Sequence, residues 1–223
     1  AAVLTVGRIG RAELGPGSTL RLIAADASEH RLALEHGTMH VDVDAPPRFF
    51  LVETPSALAV DLGCVYTLSV DERGSGLLTV DEGEVELQHG AVRASVLAGN
   101  VVAIHPGTGP GLPYPARASA ALRRAVAAYD ASSSSATAID AVLASADAHS
   151  TITLWHLLQR VEPAARGRVF DRLATLAPPP ASVTRARALR GESGALQRWR
   201  TDLEPAWVID PPRWRMVWNR LRR

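Results

Sequence analysis

Three groups of residues in this 223-residue chain have the types and spacing to do chemistry. The first is His40, Asp42 and Asp44, with His36 just before them. Residues two apart share one face of a strand, and imidazole with carboxylates makes a metal-ligand set. The same alternation puts Met39, Val41 and Val43 on the opposite face. The trio therefore reads as the solvated side of a half-buried strand, and no metal is assigned to it. The second group is His149 and His156, which share a face only if one helix holds both. Ser150 lies between them as a helix cap, which divides the pair. The third is Asp61, Cys64 and Tyr66 around Gly63. An acid beside a phenol reads here as structural. Attack by Cys64 needs a group that stabilises the thiolate, and the adjacent sequence offers none. As the only cysteine, Cys64 excludes an intramolecular disulfide and a Cys-rich zinc site, and it reads as a small buried hydrophobe.

Longer motifs are missing. There is no nucleophile elbow, P-loop, H-E-x-x-H, C-x-x-C or EF-hand loop. Gly107, Gly109 and Gly111 follow a strand, but their spacing is wrong for a dinucleotide fingerprint, and prolines stand where its helix should open. The chain is expected to have no catalytic residue, no cofactor and no bound metal, and not to be an enzyme. One stretch suggests binding instead. In PPRWRMVWNRLRR, Trp214, Val217, Trp218 and Leu221 recur at helical spacing among Arg213, Arg215, Arg220, Arg222 and Arg223. Nucleic-acid or anionic-membrane binding is one reading of such a stretch. The simplest is a terminal helix docked through its tryptophans with the arginines in water. A partner-binding helix is the next, which makes Trp214, Trp218, Arg213, Arg215 and Arg220 the candidate partner-binding residues. The expected partner is a protein, with no nucleic acid.

The elements that must position these residues change type near the middle of the chain. The stretch 48–70, RFFLVETPSALAVDLGCVYTLSV, alternates as three short strands broken at Pro55 and Gly63. Strands are expected at Val3–Leu14, Thr19–Ala24, His30–Leu34, Thr38–Asp44, Arg48–Thr54, Leu58–Leu62, Cys64–Val70, Leu77–Asp81, Glu84–Gln88, Val92–Leu97 and Asn100–Ile104. Turn signals between them (GPGS, EHG, APP, ERGSG, DEG, QHG, AG) argue an all-β sandwich, barrel or roll of short antiparallel strands. Around Gly37, Gly63, Gly83 and Gly99 the same pattern recurs: an apolar residue, the glycine, then a second apolar run. The expected core is Leu20, Leu22, Leu32, Leu34, Met39, Val41, Val43, Phe50, Val52, Tyr66, Leu68, Leu78, Val80, Val85, Leu87, Val96 and Val101.

HPGTGPGLPYP closes this part as a structured linker. The period then becomes helical, at Arg117–Tyr129, Ile139–Ala146 behind a Thr137/Asp140 capping box, and Ile152–Arg160 capped by Ser150. A helix opened by Pro163 carries Val169, Phe170, Leu173 and Leu176; Val183–Arg190, Ser193–Leu203 and Arg213–Leu221 follow. The expected fold class is α+β by segregation, with an all-β domain at 1–112 and a helical region at 113–223.

Composition agrees with a folded chain, at 47% hydrophobic and 21% charged residues. Every basic residue other than histidine is arginine. Residues 1–110 carry 7 Arg against 14 acids, and residues 111–223 carry 17 Arg against 9, so the sign of charge reverses along the chain. No apolar run is long enough to span a membrane, and no signal peptide is visible. With no initiator Met, the chain reads as an excised soluble piece whose anchor or cytoplasmic segment lies elsewhere.

The β part resembles the FecR domain. The resemblance runs through FFLVETPSALAVDLGCVYTLSV, LLTVDEGEVELQHG and VLAGNVVAI, and covers roughly residues 10–107. Phe50, Val52, Thr54, Pro55, Val60, Gly63, Tyr66, Gly83, Val85, Leu87, Ala98 and Gly99 fall on that family's order of short motifs. The family's usual glycine-threonine step is Gly63-Cys64 here. FecR-like proteins are envelope signalling regulators. Their cytoplasmic segment controls an extracytoplasmic-function sigma factor, and a single transmembrane helix leads to this β domain. The resemblance therefore implies a non-enzymatic binding and signalling module on the periplasmic or extracytoplasmic side, anchored by a segment outside this chain. A carbohydrate- or protein-binding structural module of the envelope is the alternative; exposed aromatics in a groove would favour it. A metal-dependent enzyme using His40 and Asp42 is a third.

Overall fold

The computed structural model describes residues 2–7, 9–132 and 135–208. Among them, the chain divides into two compact units between Gly111 and Leu112.

The first unit is built of strands: β1 (Ala2–Val6), β2 (Gly10–Leu14), β3 (Thr19–Ala25), β4 (His30–Val43), β5 (Phe50–Glu53), β6 (Leu58–Asp61), β7 (Cys64–Val70), β8 (Gly76–Glu82), β9 (Glu84–His89), β10 (Val92–Leu97), β11 (Asn100–His105) and β12 (Gly109–Pro110). They form two runs that share β4. One is ordered β1-β2-β4-β7-β8-β11-β12 and the other β3-β4-β5-β6-β9-β10. Pairing is antiparallel except between β4 and β5, which run parallel from His30↔Phe50 to Ala33↔Glu53. Alternation delivers one core: Leu34, Met39, Val41, Phe50, Val52, Tyr66, Leu68, Leu78, Val80, Val85, Leu87 and Val96 are all fully buried.

Strand β4 serves both runs because it is 14 residues long. Its first half pairs with β3 and β5, and its second half with β2 and β7. The EHG segment expected as a turn lies inside it. Gly37 takes φ 105° there, and a Cβ at that position would lie 2.3 Å from Ser18 Oγ. Glycine at this point permits close strand contact and leaves the strand intact. Ser18 occupies the space, accepting from Thr38 N–H at 3.0 Å and donating to Gly15 O at 2.9 Å. Conversely, Val3–Leu14, expected as one strand, is the hairpin β1–β2, because Gly7 leaves the extended region with φ 51°.

Leu22 departs from the expected core. It pairs opposite buried Leu32 yet is 63% exposed. Alternation assigned its face correctly, but β3 pairs only with β4 and lies at the edge of its run.

The second unit is helical: α1 (Ala120–Ala131), α2 (Ala136–Ser145), a single 3-10 turn (Ala148–Ser150), α3 (Thr151–Arg160), α4 (Pro163–Leu176), α5 (Arg185–Leu189) and α6 (Ser193–Trp207). The observed class is thus α+β by segregation, strands first and helices after. Caps differ in detail from the expected ones. Ser135, not Thr137, caps α2 by accepting from Ala138 N–H. Ser150 joins Asp147 in a capping box that closes the 3-10 turn, and makes no side-chain cap on α3. Helix α3 is the centre of the unit, buried from Thr151 through Leu158. Helix α6 runs past Leu203 and through Pro205 to Trp207, whose Nε1 donates to Thr151 Oγ1 at 3.0 Å.

Candidate functional site at the Gly63 turn

A cluster of deeply enclosed polar residues in the β unit lies where β6 turns into β7. Asp61 ends β6 and is 1% exposed, while Cys64 and Tyr66 on β7 are 2% and 0% exposed. The local sequence forces this geometry. Asp61 Oδ1 accepts the Gly63 N–H at 2.5 Å, an Asx turn that offers the backbone a partner where the ladder stops. Gly63 then takes φ 91°, which glycine does without strain. The Arg48 N–H donates to Asp61 O at 2.9 Å. Glu84 O accepts from Leu62 N–H at 3.2 Å and from Cys64 Sγ at 2.6 Å, which ties the turn to β9. Gly83 takes φ 81° directly against it; a Cβ there would stand 2.2 Å from Gly63 O.

Electrostatically this is a buried cluster of proton-bearing groups. Burial pushes the Asp61 carboxyl up to about 7, against the opposing pull of its hydrogen bonds from Gly63 and Cys64. Burial, with the Asp61 charge adding to it, raises the Cys64 thiol well above its usual range. Tyr66 is raised in the same way, first by burial and then by Asp61 and Cys64. Asp61 Oδ2 and Tyr66 Oη meet no hydrogen-bond partner among the described residues. Such an arrangement can hold and release a proton at Asp61 near neutrality. It keeps the Cys64 sulfur protonated, the opposite of what a nucleophilic thiolate needs.

The remaining residues of the motif order read from the sequence lie in the same unit. Phe50 is fully buried. Thr54 closes the β5–β6 turn, its Oγ1 donating to Ala57 O at 2.8 Å and accepting from Ala57 N–H at 2.9 Å, with Pro55 exposed at the tip. Gly99, at φ 80°, closes the β10–β11 turn, its N–H donating to Val80 O at 2.8 Å.

His40, Asp42 and His36 are each tied to a different neighbour. His40 Nδ1 lies 3.1 Å from Thr67 Oγ1, Asp42 lies 3.5 Å from Arg11 Nη2, and His36 Nε2 lies 2.9 Å from Thr19 Oγ1. No group of three or more His, Cys, Asp and Glu side chains arranged for a metal occurs among the described residues. His149 is exposed on the 3-10 turn. His156 is buried in α3 with its Nδ1 2.9 Å from Ile152 O, and burial first and then Arg160 lower its pKa to about 3. Trp214, Trp218, Arg213, Arg215 and Arg220, with the helix expected at Arg213–Leu221, lie outside the described residues.

Sequence reasoning reached Asp61 and Tyr66 but missed the tie from Cys64 and Leu62 to Glu84, which depends on the pairing of β6 with β9. It also missed the burial of His156, for which the apolar run around it, ITLWHLL, is the available signal.

No protein-family model and no curated protein matches the chain. Among solved structures it is similar to two crystal structures of a protein from Parabacteroides distasonis described as "a putative anti-sigma factor". Each aligns with a TM-score of 0.45 and 18% identity, over 51% of this chain and 55% of that one. The chain thus spans about half the length of the solved structures it matches.

Proposed function

We propose that this chain is a FecR-like, non-enzymatic sensory and regulatory module of the bacterial envelope. It binds a protein partner and passes a signal to an extracytoplasmic-function sigma factor through segments outside this sequence. The β unit stands on the periplasmic or extracytoplasmic side of a membrane to which another part of the protein anchors it. The observation that carries this reading is where the motif residues fall. Gly63, Gly83 and Gly99 occupy three turns with φ between 80° and 91°, and Phe50, Tyr66, Val85 and Leu87 fill one core between them. The motif is therefore a coherent scaffold, as a family signature for a binding fold should be, and its acid and thiol are buried away from solvent.

The test is made on the full-length gene product. A transmembrane span and a cytoplasmic segment ahead of residue 1 are expected. Deleting the codons for residues 1–111 is expected to change the output of a reporter driven by the cognate sigma factor. A full-length product without such segments, together with an unchanged reporter, would overturn the reading.

A further inference from the structure

The helical unit contains a cleft of about 410 Å³ whose lining includes Trp155, Leu158, Arg166, Arg190, Ser193 and Leu196. That volume lies within the range of small-molecule sites. Two features of its walls point to an occupant. Trp155 is 7% exposed, and its indole Nε1–H meets no acceptor among the described residues. The Nε–H of Arg166 is likewise buried and unpaired. Both groups are donors only and have no lone pair to offer. Leaving such donors buried and unsatisfied is costly, and here two belong to residues that line one cleft.

Arg166 is also held in a definite way. Its Nη1 donates to Leu189 O at 3.0 Å, which leaves the Nε–Nη2 edge of the guanidinium, the edge that takes a carboxylate side-on in two parallel bonds. No carboxylate is among the lining residues, and nearby in sequence Glu192 is engaged by Arg187 and Arg190, at 2.6 Å in each case. Hydrogen bonds from these two arginines lower its pKa. Leu158, Ala188 and Leu196 supply apolar wall.

The geometry points to a binding site for a small organic carboxylate with an apolar body, its two oxygens on the Arg166 edge and its body against Leu158, Leu196 and the Trp155 ring. Because Trp155 Nε1 and Arg166 Nε are buried in the unliganded chain, binding requires side chains of the lining to shift and uncover them. The site lies wholly within the helical unit and does not depend on the signalling role proposed above.

Calorimetric titration of the whole chain with benzoate tests this, with benzyl alcohol and inorganic phosphate as the comparison probes. Benzoate is expected to saturate with a Kd near or below ~1 mM, and both comparison probes to bind about tenfold or more weakly. Arg166→Lys keeps the charge but loses the planar edge, and Trp155→Phe keeps a ring but loses the N–H; each is expected to weaken benzoate about tenfold. Trp199→Phe removes an equally unpaired indole N–H from a residue that does not line the cleft, and should leave benzoate binding unchanged. Circular dichroism on each variant confirms that it folds. Three results would overturn the proposal: no saturable heat with benzoate, equal binding of benzyl alcohol, or undiminished benzoate binding in folded Arg166→Lys and Trp155→Phe.

Discussion

Among the titratable side chains that the two units bury, Asp61 of the β unit and His156 of the helical unit are opposite in kind. In the β unit Asp61 is an acid whose pKa is raised to about 7 by burial. In the helical unit His156 is a base whose pKa is lowered to about 3 by burial. Both are neutral in the folded protein over the interval between, because removing a charge from water costs more than these surroundings return. The consequences for stability have opposite signs. Folded Asp61 keeps a proton that the unfolded chain releases above its model value of 3.8. The stability it contributes is complete below that pH and is lost as pH rises towards 7. Folded His156 lacks a proton that the unfolded chain takes up below its model value of 6.5. Its contribution is complete above that pH and is lost as pH falls towards 3. One chain thus carries two cores with opposed responses to acid.

The strongest way to break the β side of this comparison is Gly83→Val. A side chain there meets both the left-handed φ of 81° and the backbone of Gly63 at 2.2 Å. Strain alone costs about 1–3 kcal/mol, and the clash adds to it, so thermal unfolding should show loss of the β transition. Gly63→Val should be milder, limited to the strain, because the nearest atom to its Cβ is Ala45 O at 3.7 Å. Equal melts for the two would show that the close approach is not what Gly83 is for.

Asp61→Asn sharpens the comparison. It should remove about 1.4 kcal/mol per pH unit of slope from the β transition between pH 4 and 7 and leave the helical transition in place. Denaturant titrations at several pH values measure this, and an unchanged slope would mean that Asp61 is not the group that titrates. On the helical side, Asp147→Ala removes the capping box ahead of α3 and should cost about 1 kcal/mol, read as a lower melting temperature of that transition alone. The smallest effect belongs to His40→Ala and Asp42→Ala. They carry a part-buried contact to Thr67 and an exposed one to Arg11 and should stay within about 0.5 kcal/mol, with elemental analysis finding no stoichiometric metal.

What the sequence revealed follows from how local each signal is. The turns at Gly63, Gly83 and Gly99 were legible because each glycine sits between two apolar alternating runs, and the change from a period of two to a helical period marked the change of class. Gly37 misled because a glycine that admits a neighbouring chain looks like a glycine that turns; only the position of Ser18 tells them apart. Leu22 misled because alternation reports a face but not what covers it. Trp207 was missed because α6 was expected to stop short of Pro205, whereas the contact with Thr151, 56 residues away in sequence, reaches beyond it. The neutral state of Asp61 was out of reach for the same reason, since burial to 1% needs strands from both runs. The cleft beside Trp155 and Arg166 draws on four helices and has no periodic signature at all.

Differential scanning calorimetry of the intact chain at about pH 5 and about pH 7.5 tests the opposed cores most directly. Two transitions are predicted, and they should move in opposite senses. The transition lost in Gly83→Val should melt higher at the lower pH, and the one shifted by Asp147→Ala should melt lower there. A single transition, or two that move together, would contradict the account.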